Sequence, residues 1–570
     1  MTETAMSKLR ALFPGGKGQV QFALATLSGC LWFLASPPFD FSALAWIAMV
    51  PAMFVIDGAK TRRSAALLCW WTGAVVHGGG FHWLIDLLRR FTELPGWVCF
   101  LLFVLFSAYQ GTVFLLFGWA VRTLRTRSDL PMVLIAPLAM VTFEFLVPFL
   151  FPCPLAISQA WHPYVIQIAD LTGRLGVTAL LFVVNGAIYD VLTLRDRALV
   201  PTLAGASVLL AALFYGGVRI AQIDRQAAIS PKLTVGVVQP NVAYDMKGVL
   251  HPEQAQEQLA ALHQRTSELY KRGAQLVVWS EASYPYYLTG SPTGGFSPND
   301  LRAIQGGVPI PLVVGVNAGS PYETGGYNSA LSLDAGGEVL GRYDKMRLLA
   351  FGEHIPGIGF FPWLHKLVPK GFGDMIPGRE VRTLPFKDSD GHVWQMGVAI
   401  CYEDIVPEHL RQTGVLHPQL LVNLTNDTWF GAKTEPWQHL ALAVFGSVEQ
   451  RTSLVRAVNS GVSGFIDPNG RVLRRTYAVD PYFHPWPADT ALDTIPLLES
   501  GHTVYASLGN SFAYVCVCAT ALLLGFKFRA AGAREVKSYV KPDAFAATAL
   551  KNMHAIAGAC GKGKLGINPS

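Results

Sequence analysis

The chain is predicted to form a polytopic α-helical membrane bundle joined to an α/β domain. Mean hydropathy is +0.33 and only 15% of the 570 residues are charged, against roughly 25% in an average soluble domain. Long apolar runs fill residues 19–218 and return after Ser507. From Leu233 the pattern changes to short β-branched runs alternating with helical periodicity, as expected for sheets covered by helices.

In chain order, the apolar run from Val20 to Ala35 follows Lys8, Arg10 and Lys17. That order resembles a signal peptide, but further apolar runs follow closely, so the segment is read as a retained first span. Candidate spans are residues 19–37, 42–57, 65–85, 97–121, 131–151, 175–194, 200–218 and 506–526, near the roughly 20 residues needed to cross a hydrocarbon core. About seven precede the α/β region and one follows it. The second is short, and the fifth contains Pro131, Pro137 and Pro148.

Lys and Arg gather on alternate connections: residues 1–18, then Lys60, Arg62 and Arg63, then Arg122, Arg125 and Arg127, then Arg195 and Arg197, and last the tail 527–570 with Lys527, Arg529, Arg534 and Lys537. An excess of positive charge marks cytoplasmic loops. The intervening region 220–500 then faces the other side, which in a Gram-negative inner membrane is the periplasm. Arg89, Arg90 and Arg174 break the alternation. The net charge of +6 lies in these short clusters and not along one face, which argues against nucleic acid as a partner.

Three features of the membrane part stay open at this level. Residues 84–95 mix Asp86, Arg89, Arg90 and Glu93 with Leu and Phe, giving either an amphipathic interfacial segment or a plain loop. Glu144 lies in an apolar run, where an ionisable group is a functional candidate, or, with a span shifted by a few residues, at an interface. His77 and His82 flank Gly78–Gly80 and are not read as metal ligands; no metal or cofactor is expected.

The α/β region, residues 232–500, reads as a strand over Leu233–Asn241, a helix near Pro252–Arg272 with Leu259, Leu262 and Leu269 on one face, and strands at 275–281, 311–316, 328–333, 341–344, 393–400 and 420–426. Three polar groups fall at strand ends or just beyond them: Glu281, Lys345 and Cys401. Cys401 is the only cysteine between Cys153 and Cys516, so it has no disulfide partner within this region. Taken alone it is either a nucleophile or a buried structural thiol. A thiol that attacks an acyl carbon needs a base, for which Glu281 has an apolar setting in Val277, Val278 and Trp279. A fixed cation such as Lys345 would stabilise the developing oxyanion. For each residue a surface salt bridge or a satisfied core group is the alternative.

Trp279-Ser-Glu281, Tyr343-Asp-Lys345 with Phe351-Gly-Glu353-His-Ile-Pro356, and Cys401-Tyr-Glu403 together resemble the Glu, Lys, Cys signature of the nitrilase (carbon-nitrogen hydrolase) superfamily. With Asn426-Asp-Thr-Trp-Phe-Gly431, Arg456-Ala-Val-Asn-Ser-Gly461 and spans on both sides, residues 15–530 resemble the bacterial apolipoprotein N-acyltransferases. The resemblance implies an αββα sandwich, with Glu281 as general base, Lys345 as stabiliser of the tetrahedral intermediate and Cys401 as nucleophile. It implies Glu353 as a supporting acid, Tyr402 and Glu403 lining the site, and Trp429 and Phe430 beside it, although core packing is open for those two. The implied reaction moves an acyl chain from a phospholipid, through a Cys401 thioester, to the α-amino group of a diacylglyceryl apolipoprotein. The partners would be those two lipids and the bilayer, with the enzyme a monomer. A membrane-anchored amidase or an inactive scaffold are the other readings. Cys153, Gly248 and Ala350 stand where the family usually has tryptophan, tryptophan and proline.

Overall fold

The computed structural model describes residues 16–526 apart from 93, 195–198, 244–250, 289–301, 320–324, 351, 356–374 and 478–487. Lys8, Arg10, Glu93, Arg195, Arg197, Gly248, Phe351, Pro356 and the tail 527–570 lie outside the described residues.

Apolar runs fold into the helices α1 (Lys17–Ala35), α2 (Val50–Gly58), α3 (Arg62–Gly80), α4 (Trp83–Phe91), α5 (Gly96–Gln110), α6 (Thr112–Arg125), α7 (Met132–Leu146), α8 (Arg174–Leu194) and α9 (Leu199–Ile229). Among the described residues, four segments are long and apolar enough to cross a membrane: Lys17–Ala35, Gly96–Arg125, Arg174–Thr193 and Leu199–Ile229. This is a multi-pass membrane protein. Its bundle core gathers Trp32, Met49, Phe114, Phe117, Met140, Phe182 and Tyr189.

Three segments differ from the sequence reading, and the first is the expected span 42–57, which divides into a short turn of helix at Ser42–Trp46 and the nine-residue α2. α9 has 31 residues, about 46 Å at 1.5 Å per residue, and so runs well past a hydrocarbon layer of about 30 Å. Hydropathy falls at Arg219, where the expected span ends, but Ala, Gln and Arg keep the helix going. The third expected span breaks after Gly80, and residues 83–91 are helical and not loop. Their spacing explains it: Trp83 and Leu84 are buried and Leu87 and Leu88 pack beside them, while Asp86 and Arg89 face outward. Arg174, which broke the loop-charge alternation, is buried and paired with Glu449 at 3.0 Å. Glu144 is buried, and its Oε1 accepts the Leu155 N–H at 2.6 Å. His77 is buried among the rings of Phe81, Phe114 and Phe149.

The α/β region forms two sheets. One contains β1 (Lys232–Gln239), β2 (Leu276–Trp279), β3 (Tyr287–Leu288), β4 (Leu312–Ala318), β5 (Tyr327–Leu333), β6 (Val339–Asp344) and β13 (Asp489–Pro496), in the order β13-β1-β2-β4-β5-β6 with β3 on β4. The other contains β7 (Thr383–Lys387), β8 (Val393–Ile400), β9 (Leu420–Thr425), β10 (Leu454–Val458), β11 (Gly464–Ile466) and β12 (Val472–Arg475), in the order β12-β11-β10-β9-β8-β7. Val235, Val278 and Tyr343 of the first meet Val398, Val422 and Val455 of the second in one core. The first sheet is covered by α10 (Pro252–Lys271) through Leu259, Leu262 and Leu269. The second is covered by α11 (Pro407–Gly414) and α12 (Glu435–Gln450). The result is an αββα sandwich. α13 (Ser511–Gly525) then returns to the bundle and packs on Val141 of α7.

Every residue of α12 except Trp437 is buried, because one side meets the sheet and the other meets the bundle through Ile157, Ile166 and Leu180. Charged groups lace this junction. Asp170 accepts from Arg451 at 2.7 Å and from Tyr215 and Arg219 of α9 at 2.7 and 2.8 Å. Arg451 is 4% exposed, and removing a carboxylate from such a pair leaves a buried charge uncompensated. Asp170→Ala is therefore expected to cost about 3–5 kcal/mol, read as a lower midpoint of thermal unfolding in detergent; an unchanged midpoint would show that the pair contributes nothing.

Candidate active site

Each candidate residue emerges where a strand stops. Glu281 lies two residues past β2, Lys345 one past β6 and Cys401 one past β8. Gly315 of β4 allows the Glu281 turn to sit against it, since a Cβ there would meet the Ser280 carbonyl at 2.3 Å. Lys345 Nζ donates to Glu281 Oε1 at 3.1 Å and to Glu353 Oε1 at 2.7 Å. Asn328 Nδ2 donates to the same two oxygens at 2.6 and 3.0 Å. The Leu349 N–H holds Glu353 Oε2 at 2.8 Å. All four side chains are buried.

Burial sets the electrostatics. It pushes the Glu281 carboxyl above the usual glutamate range, with Lys345 opposing and Glu353 adding to the rise. Burial disfavours the Lys345 ammonium, yet Glu281, Glu353 and Cys401 hold it charged well above the ordinary lysine value. The Cys401 thiol is raised by burial and by Glu281, with Lys345 working the other way. The resting group is thus a thiol, and chemistry at sulfur requires a base beside it.

Cys401 has φ +51, a left-handed conformation that costs a residue with a Cβ about 1–3 kcal/mol and is held by its surroundings. Asn423 Nδ2 donates to the Cys401 carbonyl at 3.2 Å. Glu403 supplies the main brace. Its Oε2 accepts the Ile400 N–H at 2.8 Å, and its Oε1 accepts the Tyr343 hydroxyl and the Met346 and Arg347 N–H groups at 2.8, 2.7 and 2.9 Å. One fully buried carboxylate thus joins the Cys401 turn to the Lys345 loop.

Tyr402 is half-buried, its ring 6.4 Å from that of Phe151. Trp429 is half-buried and Phe430 is buried against Trp83 of α4, ring centroids 5.2 Å apart. Phe430 therefore packs in an aromatic core with Phe81, Trp83 and Phe106, and Cys153 lies at its edge. The sequence reading missed Asn328, whose only signal is an amide at the start of an apolar strand. It also missed a charged cluster of Asp404, Asp427, His439 and Arg456 next to the Cys401 turn.

Residues 234–478 match the family model of carbon-nitrogen hydrolases, and residues 28–187 match that of the apolipoprotein N-acyltransferase N-terminal domain. Fold and matches together define a membrane-embedded acyltransferase built on a nitrilase-like domain. The chain is 30% identical over 525 residues to the apolipoprotein N-acyltransferase of Geobacter metallireducens, covering 89% of this chain and 95% of that one. It is 27% identical to the enzyme of the same name from Chlorobaculum tepidum, covering 87% and 94%. The chain belongs to the apolipoprotein N-acyltransferase family. Among solved structures it is similar to an amidase of the nitrilase superfamily from Nesterenkonia AN1, 18% identical, covering 50% of this chain and 96% of that one at a TM-score of 0.34.

Asn328 shields two carboxylates that share one ammonium, so Asn328→Ala is expected to lower acyl transfer by a folded enzyme. Leaving those buried acceptors short of a donor costs about 1–3 kcal/mol, or roughly five- to a hundredfold in rate. Steady-state transfer assays on detergent-purified protein measure it; a wild-type rate would remove Asn328 from the site.

Proposed function

We propose that the protein transfers an acyl chain from a membrane phospholipid to the α-amino group of the diacylglyceryl-cysteine that begins an apolipoprotein, by way of a thioester on Cys401. The observation that carries the reading is the buried cluster of Lys345, Glu281 and Glu353 acting on the Cys401 thiol, in a domain packed directly on a membrane bundle.

Glu281 takes the thiol proton as sulfur attacks the ester carbonyl of the donor. The oxyanion that forms is neutralised by Lys345, which Glu353 keeps in place. Collapse breaks the ester bond, Glu281 returns the proton to the leaving oxygen, and a lysophospholipid departs. The acceptor amine then attacks the thioester carbonyl. Its surplus proton passes through Glu281 to the sulfur, which restores the thiol and leaves an amide-linked third chain.

Tyr402 and Trp429, both half-buried, form the wall along which the acyl chain approaches, with Phe430 packed behind. Cys401 is 6% exposed, and a thioester kept from bulk water survives to meet an amine rather than being hydrolysed. The alternation of basic loops supports an inner-membrane enzyme with its sandwich in the periplasm. A monomer suffices, since all the groups in these steps come from one chain.

Incubation with phospholipid and a diacylated lipopeptide is expected to give a triacylated product, with a Cys401 acyl adduct visible by mass spectrometry and both absent in Cys401→Ala. Hydrolysis of simple amides with no transfer would sink the proposal in favour of an amidase. The raised Glu281 pKa has a signed consequence as well. A base works only when deprotonated, so activity should fail, as pH drops, at a value above the ordinary glutamate range. A pH–rate profile measures this, and an acid limb at the ordinary glutamate value would exclude Glu281 as the base.

A further inference from the structure

A second buried charge cluster touches the Cys401 turn, and none of its members takes part in the steps above. Asp404 lies in the same short turn, Cys401–Ile405. Asp427 opens the turn Asp427–Trp429 that follows β9. His439 and Glu435 belong to α12, and Arg456 to β10. His439 Nε2 is 2.8 Å from Asp404 Oδ1, and its Nδ1 is 3.0 Å from Asp427 Oδ1 and 3.5 Å from Glu435 Oε1. Arg456 donates to the other oxygen of Asp404. Asp404 and Arg456 are fully buried, and His439 is 3% exposed.

An imidazole with a carboxylate oxygen at each ring nitrogen satisfies both only by donating from both, so His439 is an imidazolium. Burial works against that charge, but Asp404 and Asp427 outweigh it and raise the pKa to about 10, with Arg456 opposing. The other titratable or charged groups around the cluster are Glu435 on α12 itself, whose carboxyl is pushed well above the usual glutamate range by burial and by Asp427, and Arg174 of α8, which faces Asp404 and is paired with Glu449. The bridge therefore persists at neutral pH and is lost as pH rises through about 10.

The bridge sits where the sheet no longer supplies a connection. Parallel pairing of β8 with β9 ends at Ile400↔Leu424. One residue later comes Cys401, and a few further on Asp427 and Trp429. Beyond that point side chains hold the two turns: Asn423 on the Cys401 carbonyl, and His439 between Asp404 and Asp427. Asp427 is also near enough for its charge to act on the Cys401 thiol.

We propose that His439 is a positioning residue for acyl transfer, its imidazolium tying the turn that carries Cys401 to the turn that carries Trp429. The thiol and the aromatic wall beside it are thereby held at one spacing. The inference rests on the reading of Cys401 as the nucleophile. A displacement of about 1 Å at a reacting group costs about 100-fold, and binding far from that atom is spared.

The test uses the full-length enzyme in detergent. In His439→Gln, kcat for transfer from phospholipid to a diacylated lipopeptide is expected to fall about 100-fold, with KM within about twofold. The pH profile of Cys401 alkylation by iodoacetamide should move to higher pH, because Asp427 is left without its cation. Asp427→Asn keeps a hydrogen-bonding group of the same size and serves if the glutamine variant does not fold; it should lower kcat about tenfold. A variant with a lower melting temperature but wild-type kcat and alkylation profile would overturn the inference and leave His439 a stability element. So would a stoichiometric divalent metal in the purified wild type that His439→Gln loses, since Asp427, Glu435 and His439 hold ligand atoms within 4.8 Å of one another. Transfer by Cys401→Ala would instead overturn the thioester reading. A dead Cys401→Ala beside a wild-type-like His439→Gln removes the positioning role alone.

Discussion

A single ammonium buried between two carboxylates sets the terms for the whole α/β domain. Lys345 is 1% exposed, and an ion taken so far from water persists only where opposite charge and hydrogen bonds compensate it closely. Glu281, Glu353 and Asn328 provide this, but they come from the turn after β2, a loop and β5. The compensation therefore exists only if the first sheet is in register and the loop after Lys345 is closed. Glu403 extends the dependence to the second sheet, because its four hydrogen bonds reach Ile400 on one side and Tyr343, Met346 and Arg347 on the other. The geometry of the candidate site and tertiary packing are in this sense one constraint.

The same economy joins the domain to the bundle. α12 has almost no solvent-facing side, so it serves at once as an outer layer of the sandwich and as packing for α8 and the segments around Ile157 and Ile166. Gln438 on this helix accepts from Trp83 of α4 at 3.1 Å and donates to the Gly80 and Pro37 carbonyls. With Phe430 also against Trp83, the amphipathic α4 lies beside the turn that carries Trp429.

Much of this was legible in the sequence, and the losses have physical causes. The strands of the α/β region stand out because β-branched runs end in polar turns, and Glu281, Lys345 and Cys401 could be picked out because each follows such a run at once. Groups that act across elements leave no such local trace: Asn328 looks like one polar residue in a strand, and His439 like one in an apolar helix. Arg174 misleads for the same reason, since its partner Glu449 is 275 positions away. Helix ends were blurred where hydropathy and helix propensity part company, as in α9 after Arg219 and in α4, whose alternating charges read equally well as loop. Glu403 was expected to line the site and Phe430 to lie beside it or pack in the core; the hydrogen bonds of the one and the aromatic packing of the other depend on Tyr343 and Trp83, far away in the chain.

The pairing of β1 with β13 has a consequence for how the protein is made. Residues 232–239 lie antiparallel to 489–496 over their full length, so a strand at the start of the domain waits for one at its end. During synthesis the first sheet has an open edge until nearly all of the chain has left the ribosome, and unpaired edges invite wrong partners. The strand that closes it is followed, after the short helix Val504–Leu508, by α13, which is inserted beside α7. Completion of the αββα sandwich and insertion of α13 are thus nearly simultaneous events. Until then the nascent enzyme is an anchored but unfinished sandwich, in need of protection on the side where it folds.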